Sequence, residues 1–215
     1  MRLRPARRRL LHHLALAVFV VTAGSAVALL LDSDRPVFLL SMGSAYASLA
    51  LLALTLLLGP WNVVRHRPNP VSTHLRRDIG IWAGLMATVH VVMGLQVHMQ
   101  GAVERYFLFP PGQGVILLRY DAFGLVNWMG LAAAVIALVL LAISNDLSLR
   151  RLGTARWKGI QRWNYAFFAL VVVHGLGYQL TEGRPAPWVA AVAIAAALVV
   201  AGQAAGWRIR RRGST

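Results

Sequence analysis

Cysteine is absent from the 215-residue chain, and acidic side chains number only seven. Without cysteine there is no disulfide, no thiolate metal site, no cysteine-ligated iron–sulfur cluster and no thiol catalysis. Charged residues make up 13% of the chain, about half the share of a typical soluble domain. Hydrophobic residues make up 58%, and the mean hydropathy is +0.59. This composition is typical of an integral membrane protein and not of a water-soluble globule.

Six runs without a charged residue occupy most of the sequence. Each reaches or approaches the roughly 20 residues that a helix needs to cross a bilayer core of about 30 Å. The sequence therefore predicts an all-α, polytopic helical bundle, one integral membrane domain over residues 1–215. Its six transmembrane helices are expected at about 10–31, 36–60, 79–100, 122–145, 163–181 and 185–207.

The placement of basic residues predicts the orientation. With the N-terminus in the cytoplasm, 18 of the 22 Lys and Arg residues fall inside, and only Arg35, Arg105, Arg119 and Arg184 fall outside. Such an asymmetry is what the positive-inside rule requires, and it puts both termini in the cytoplasm. The net charge of +15 then reflects topology and contact with anionic membrane lipid. It does not indicate a nucleic-acid partner.

The first apolar run has a second interpretation. Arginines before it and Ala26-Val27-Ala28 near its end also fit a secretory signal with a small-residue cleavage site. The run is about 22 residues long, however, against the 7–15 of a signal peptide. We therefore expect an uncleaved first span. Cleavage would leave five spans with the same orientation.

Two histidines lie deep inside apolar runs, His90 in the third and His174 in the fifth. Imidazoles in hydrocarbon are costly unless they have partners. From Arg77 to His90 is about 20 Å of helix, and from Arg162 to His174 about 18 Å. The two spans run in the same direction, so both rings should lie at one level in the outer half of the membrane.

Three roles fit such a pair. Two neutral imidazoles that face each other across a bundle are suited to be the axial ligands of a haem iron. Ala83, Met86, Ala87 and Gly94 on the His90 face would leave room for a flat macrocycle. Small residues also let transmembrane helices pack closely, which is the structural alternative. A proton or ion pathway is the third.

Two segments resemble a known family, the ferric-reductase-like transmembrane proteins. The first is RRDIGIW at 76–82 with ATVH at 87–90, and the second is LGTARWKGIQRWNY at 152–165, which leads to His174. The resemblance covers about residues 55–180. It is strongest to the haem-binding membrane subunits of bacterial periplasmic methionine sulfoxide reductase systems. The resemblance implies a b-type haem whose iron is ligated by His90 and His174.

The sequence departs from that family at the inner end of the bundle. Family members usually carry a histidine after the Trp-Lys segment, where this chain has Gln161. Members with two haems also carry a histidine near the inner end of the third span, where this chain has Arg76 and Arg77. An inner haem would have neither ligand, so we expect one haem b per chain.

Other candidate site residues have simpler alternatives. His98 is a candidate haem ligand or propionate contact, or an interfacial imidazole. His74, with Arg77 beside it, is a candidate contact for a quinone headgroup or a propionate, or part of a solvated basic loop. Gln161 is included because it occupies the family's inner ligand position.

The expected function is that of a membrane cytochrome b, an electron-transfer subunit of an oxidoreductase in a bacterial inner membrane. No glycine-rich phosphate loop follows a strand, so no flavin or nicotinamide domain is expected in the chain. The electron donor should then be the quinone pool or a separate reductase, and the acceptor a periplasmic or extracellular redox partner. The alternatives are a small transporter or proton-conducting protein that uses the same histidines, and a structural membrane subunit without a cofactor.

Overall fold

The structure, a computed structural model, describes residues 5–66, 74–113 and 116–212. Arg2, Arg4 and Arg67, which contribute to the predicted charge asymmetry, lie outside these ranges. Within them the only β pairing is an isolated bridge between Leu108 and Leu118, so the all-α prediction is confirmed. The described ranges contain seven α-helices: α1 Pro5–Leu30, α2 Pro36–Val64, α3 His74–Gly94, α4 Ala122–Ala142, α5 Asp146–Gln161, α6 Asn164–Thr181 and α7 Ala186–Arg212.

Four of the described helices, α1, α2, α4 and α7, are long and apolar enough to cross a membrane. The other two predicted spans correspond to α3 and α6, which are less apolar. Arg76, Arg77 and Asp78 lie in the first turns of α3, and α6 carries His174 and a polar outer end. Six spans with both termini inside stay a prediction.

The central helix is α2, which packs against α1, α3, α6 and α7. It contributes 14 buried residues, among them Leu51, Leu52 and Leu56, which have almost no exposed surface. These leucines form the core together with Ala83 of α3 and Phe167 of α6. The α3 and α6 helices, which carry the two deep histidines, are thus positioned by contact with one shared helix.

A buried carboxylate attaches α1 to α3 at the inner end of the bundle. Asp78 has no exposed surface, and its oxygens lie 3.3 Å from a guanidinium nitrogen of Arg9, 3.5 Å from Nδ1 of His12 and 3.7 Å from Nε2 of His13. The indole N–H of Trp82 donates to Nδ1 of His13 at 3.1 Å. Because His13 accepts at Nδ1, its Nε2 carries the hydrogen that faces Asp78.

The segment that connects the fourth and fifth predicted spans is a helix, α5. Asn145 caps its first turn, because the side-chain oxygen accepts from the N–H of Ser148 at 2.8 Å. No residue of α5 is buried, and its kink is at Gly153, where φ is +70°. Trp157 fastens it to the end of α4 by donating to the carbonyl of Ile143 at 2.9 Å. A basic, amphipathic helix of this kind is suited to lie on an anionic membrane surface.

The outer loop between α3 and α4 folds over the ends of the helices. Its anchor is Tyr106, only 1% exposed, whose hydroxyl oxygen lies 3.1 and 3.0 Å from the carbonyl oxygens of Gly94 and His98, either of which can accept its hydrogen, and accepts from the N–H of His98 at 2.9 Å. The loop ends at Asp121, which caps α4 by accepting from the N–H of Gly124 at 2.7 Å. Hydrogen bonds from the Arg119 guanidinium hold the pKa of the Asp121 carboxyl below its usual range.

The topology is testable with reporter fusions. A fusion after Gly112, in the outer loop, should report the opposite compartment to a fusion after Arg212, because an odd number of predicted spans separates them. A fusion after Gly159, in α5, is the control and should agree with the one after Arg212. Agreement between the Gly112 and Arg212 fusions would show that the predicted number of spans is wrong.

Candidate cofactor site

His90 and His174 lie next to each other in the half of the bundle that is predicted to face outward. Their ring centroids are 6.2 Å apart, and the ring planes are inclined at 68°. His90 lies about 6 Å of helix from the outer end of α3 and about 24 Å from its inner end. His174 lies about 10 Å from the outer end of α6 and about 15 Å from its inner end. Because their ring centroids are only 6.2 Å apart, the two imidazoles lie at a similar level of the bundle, as residue counting predicts.

Each imidazole is oriented by a hydrogen bond to a neighbouring helix. Nδ1 of His90 lies 3.0 Å from the carbonyl oxygen of Ser41 in α2 and 3.2 Å from its hydroxyl oxygen. Nδ1 of His174 lies 2.8 Å from the carbonyl oxygen of Val126 in α4. A carbonyl oxygen only accepts, so both Nδ1 atoms carry hydrogen, and each neutral ring keeps its lone pair on Nε2.

The spacing of the two rings fits a shared metal ion. An imidazole nitrogen binds a metal at about 2 Å and lies about 1 Å from the centre of its own ring. Two imidazoles on opposite sides of one metal ion therefore have ring centroids about 6 Å apart. The observed 6.2 Å agrees with this value. Ligating histidines characteristically donate the other ring N–H to a carbonyl, as both do here. The residues present therefore fit bis-imidazole ligation of a haem iron.

The two rings line a cavity of ≈ 310 Å³ between α2, α3, α4 and α6, which residues of the outer loop and Val192 of α7 also line. Pockets for small molecules and cofactors begin at about this volume. Most of its walls are apolar, for example Leu49, Ala87, Phe167 and Val171. Such walls exclude water and lower the dielectric around whatever the histidines bind.

Two glycines make room at the histidines. A Cβ on Gly130 of α4 would lie 2.7 Å from both Nδ1 and Cε1 of His174, inside van der Waals contact. A Cβ on Gly94 of α3 would lie 3.3 Å from the hydroxyl of Ser41 and 3.7 Å from Cε1 of His90. Glycine at position 130 is therefore a condition for the observed orientation of the His174 ring.

His98 lines the same cavity but is not on a helix. The third span was expected to continue to residue 100, which would place His98 on its surface. Instead α3 ends at Gly94, because the next N–H groups form tighter bonds to residues three positions back and Tyr106 holds the following turn. The His98 ring packs 6.0 Å from the rings of Phe123 and Tyr178, toward the outer end of the cavity.

The three inner candidate residues do not line this cavity. His74 is exposed at the start of α3. Arg77 donates to the carbonyl of Ser144 at 3.1 Å and pairs with Asp146, and Gln161 lies 3.4 Å from the hydroxyl of Ser144. Arg77 and Gln161 thus meet at the inner end of α4. Their assignment to a cofactor stays a prediction.

Sequence reasoning missed the groups that orient the histidines. The acceptors at Ser41 and Val126 are backbone carbonyls, which every residue type provides, so no sequence signal marks them. Gly130 is one of 19 glycines, and only the packing of α4 on α6 distinguishes it. Ser41 did carry a signal, since it is a polar residue within an apolar run.

No family model matches the chain. Among curated proteins, it aligns over 153 residues, or 71% of its length, with two proteins named "Protein-methionine-sulfoxide reductase heme-binding subunit MsrQ". They come from Yersinia pseudotuberculosis serotype O:1b (strain IP 31758) and Yersinia pestis (strain Pestoides F), and each is 27% identical to this chain in the aligned region. The alignment covers 68% and 66% of these relatives.

The chain is similar to the MsrQ heme-binding subunits. This similarity confirms the resemblance to the haem-binding membrane subunits of methionine sulfoxide reductase systems. It supports the association of the chain with haem, electron transport and oxidoreductase chemistry. Together with the apolar helices, it confirms the predicted location, an integral membrane protein of the bacterial inner membrane.

Proposed function

We propose that this protein is a membrane b-type cytochrome that carries electrons to an acceptor on the outer face of the membrane. The observation that carries the proposal is the pair of imidazoles whose ring centroids are 6.2 Å apart, each with Nδ1 at hydrogen-bond distance from a backbone carbonyl, which leaves the lone pair on Nε2 for a metal. The similarity to MsrQ subunits, whose name states that they bind haem, supports it independently. A transporter would have no need for two rings at metal-ligand spacing.

The protein's residues would hold, orient and shield the cofactor. When bound, haem supplies one-electron redox chemistry at its iron, with a potential set by ligands, burial and nearby charge. His90 and His174 would hold the iron. The carbonyls of Ser41 and Val126 accept the hydrogen on Nδ1 and so keep both rings in the tautomer whose Nε2 can bind a metal. These hydrogen bonds also raise the basicity of Nε2. His98 packs at the outer end of the same cavity.

The position of the histidines supports an outer acceptor. Both lie nearer the outer than the inner ends of their helices, and residues of the outer loop line the cavity. An electron on this site would be close to a periplasmic or extracellular redox partner. The donor in this proposal is membrane quinol or a separate reductase, since electrons must enter from outside the chain.

Oriented vesicles test this direction of electron flow. We expect a membrane-impermeant oxidant added at the outer face to reoxidise the reduced haem, and a quinol analogue to reduce it again. A membrane-permeant oxidant is the control and should work from either side. Reoxidation by the impermeant oxidant from the inner face alone would contradict both the depth of the site and the proposed acceptor.

A further inference from the structure

The cavity at His90 and His174 has one polar end. Its inner walls are apolar, whereas its outer end is lined by His98, Tyr178, Gln179 and Arg184. Among the described residues that line it, Arg184 is the one with a permanent charge. An apolar cavity with a cation at one end is suited to a flat amphiphile that carries anionic groups along one edge. Haem is such a molecule, because both of its carboxylates are on one edge of an otherwise apolar ring.

Arg184 is held firmly at this end of the cavity by the turn that follows α6. Gly183 has a φ of +59°, the N–H of Arg184 donates to the carbonyl of Gln179 at 2.9 Å, and the N–H of Gly183 donates to that of Leu180 at 3.3 Å. These are the two bonds of a Schellman motif. The helix that supplies His174 therefore also fixes the backbone of Arg184, which lies in the turn just past the outer end of α6.

The guanidinium of Arg184 retains capacity for an anion. It is three-quarters buried, its carbon lies 4.8 Å from the ring centroid of Phe38, and its ion pair with Glu182 is long, at 3.9 Å. That distance is beyond a hydrogen bond. A guanidinium has five N–H donors in a planar fork that matches a carboxylate. A buried guanidinium whose ion pair is this long is stabilised when a second anion forms an ion pair with it.

We propose that Arg184 binds a haem carboxylate, so that the propionate edge of the haem faces the outer end of the cavity. This inference rests on the proposed function. It makes Arg184 a positioning residue that also raises the reduction potential, because a nearby positive charge favours the reduced and more negative haem. His98, Tyr178 and Gln179 complete the polar end where the carboxylates would lie.

The test uses the purified holoprotein and three variants. In Arg184→Gln we expect a lower midpoint potential in a redox titration. We also expect loss of haem to haem-free myoglobin to be about tenfold faster, which corresponds to about 1.4 kcal/mol. Arg184→Lys keeps the charge and should retain most of the wild-type potential. Arg105→Gln removes a charge from the exposed outer loop away from the cavity and should leave both measurements unchanged.

The outcomes separate this inference from the proposed function. If Arg184→Gln behaves like Arg105→Gln in both measurements, Arg184 does not bind the carboxylate and the inference is wrong, although the haem proposal stands. If Arg184→Lys falls as far as Arg184→Gln, the effect is not one of charge, and the inference is again wrong. If the wild-type protein contains no haem, the proposed function itself fails.

Discussion

His90→Ala and His174→Ala should each abolish nearly all of the low-spin haem in the purified protein. Each substitution removes one of two ligating nitrogens, and no other described histidine ring is paired with theirs at 6.2 Å. The bundle should still form, because its helices are held together by packing around α2 and by the bilayer. The measurement is the absorption of the reduced protein relative to its amount, together with the yield from detergent-solubilised membranes.

His98→Ala is the matched control for these two variants. It removes a third imidazole from the same cavity, but one that lies on a turn outside α3 and packs against Phe123 and Tyr178. We expect it to keep its low-spin haem. If either His90→Ala or His174→Ala has the haem content of the wild type, the substituted residue is not a haem ligand.

The substitution Gly130→Val should abolish haem binding almost as completely, although it changes no ligand. Its Cβ would lie 2.7 Å from two atoms of the His174 ring, and its two methyl groups would crowd the ring further. The ring is also fixed by its hydrogen bond to the carbonyl of Val126, so relief of the clash breaks that bond and reorients the ring. Such strain in a packed core costs about 1–3 kcal/mol even when neighbours adjust. The measurements are haem content and thermal stability.

Gly159→Ala is the control for a glycine substitution. Gly159 lies in α5, and no atom is within 4 Å of a Cβ built there. We expect its haem content to match that of the wild type. If Gly130→Val also retains full haem, the orientation of His174 in the structure is not the one that binds the cofactor.

The sequence predicts the parts of this molecule that depend on composition and helical rise. Long apolar runs predict α2, α4 and α7, and the rise of 1.5 Å per residue places His90 and His174 at one depth. The structure brings these two rings together, while their role as ligands stays a prediction. The sequence did not predict the helix α5. Its basic residues indicate on which side of the membrane the segment lies, but they do not indicate its secondary structure.

Local hydrogen bonds explain why hydropathy predicts the wrong end for the third span. An apolar run continues past Gly94, so hydropathy extends the third span to residue 100. Tyr106, from a loop that follows, instead bonds the carbonyls of Gly94 and His98 and holds a turn there. The role of Arg184 was hidden for a similar reason, since its relation to the cavity depends on the turn at Gly183.

The most direct test of this account is the absorption spectrum of the purified protein with the haem-to-protein ratio measured on the same sample. We predict a Soret band that shifts on reduction with dithionite, the spectrum of a low-spin b-type haem, and a ratio near one. A ratio near two would show that inner residues such as His74 supply ligands and would contradict the single site. A protein with no Soret band, purified from cells supplied with haem, would contradict the central claim that His90 and His174 bind a haem iron.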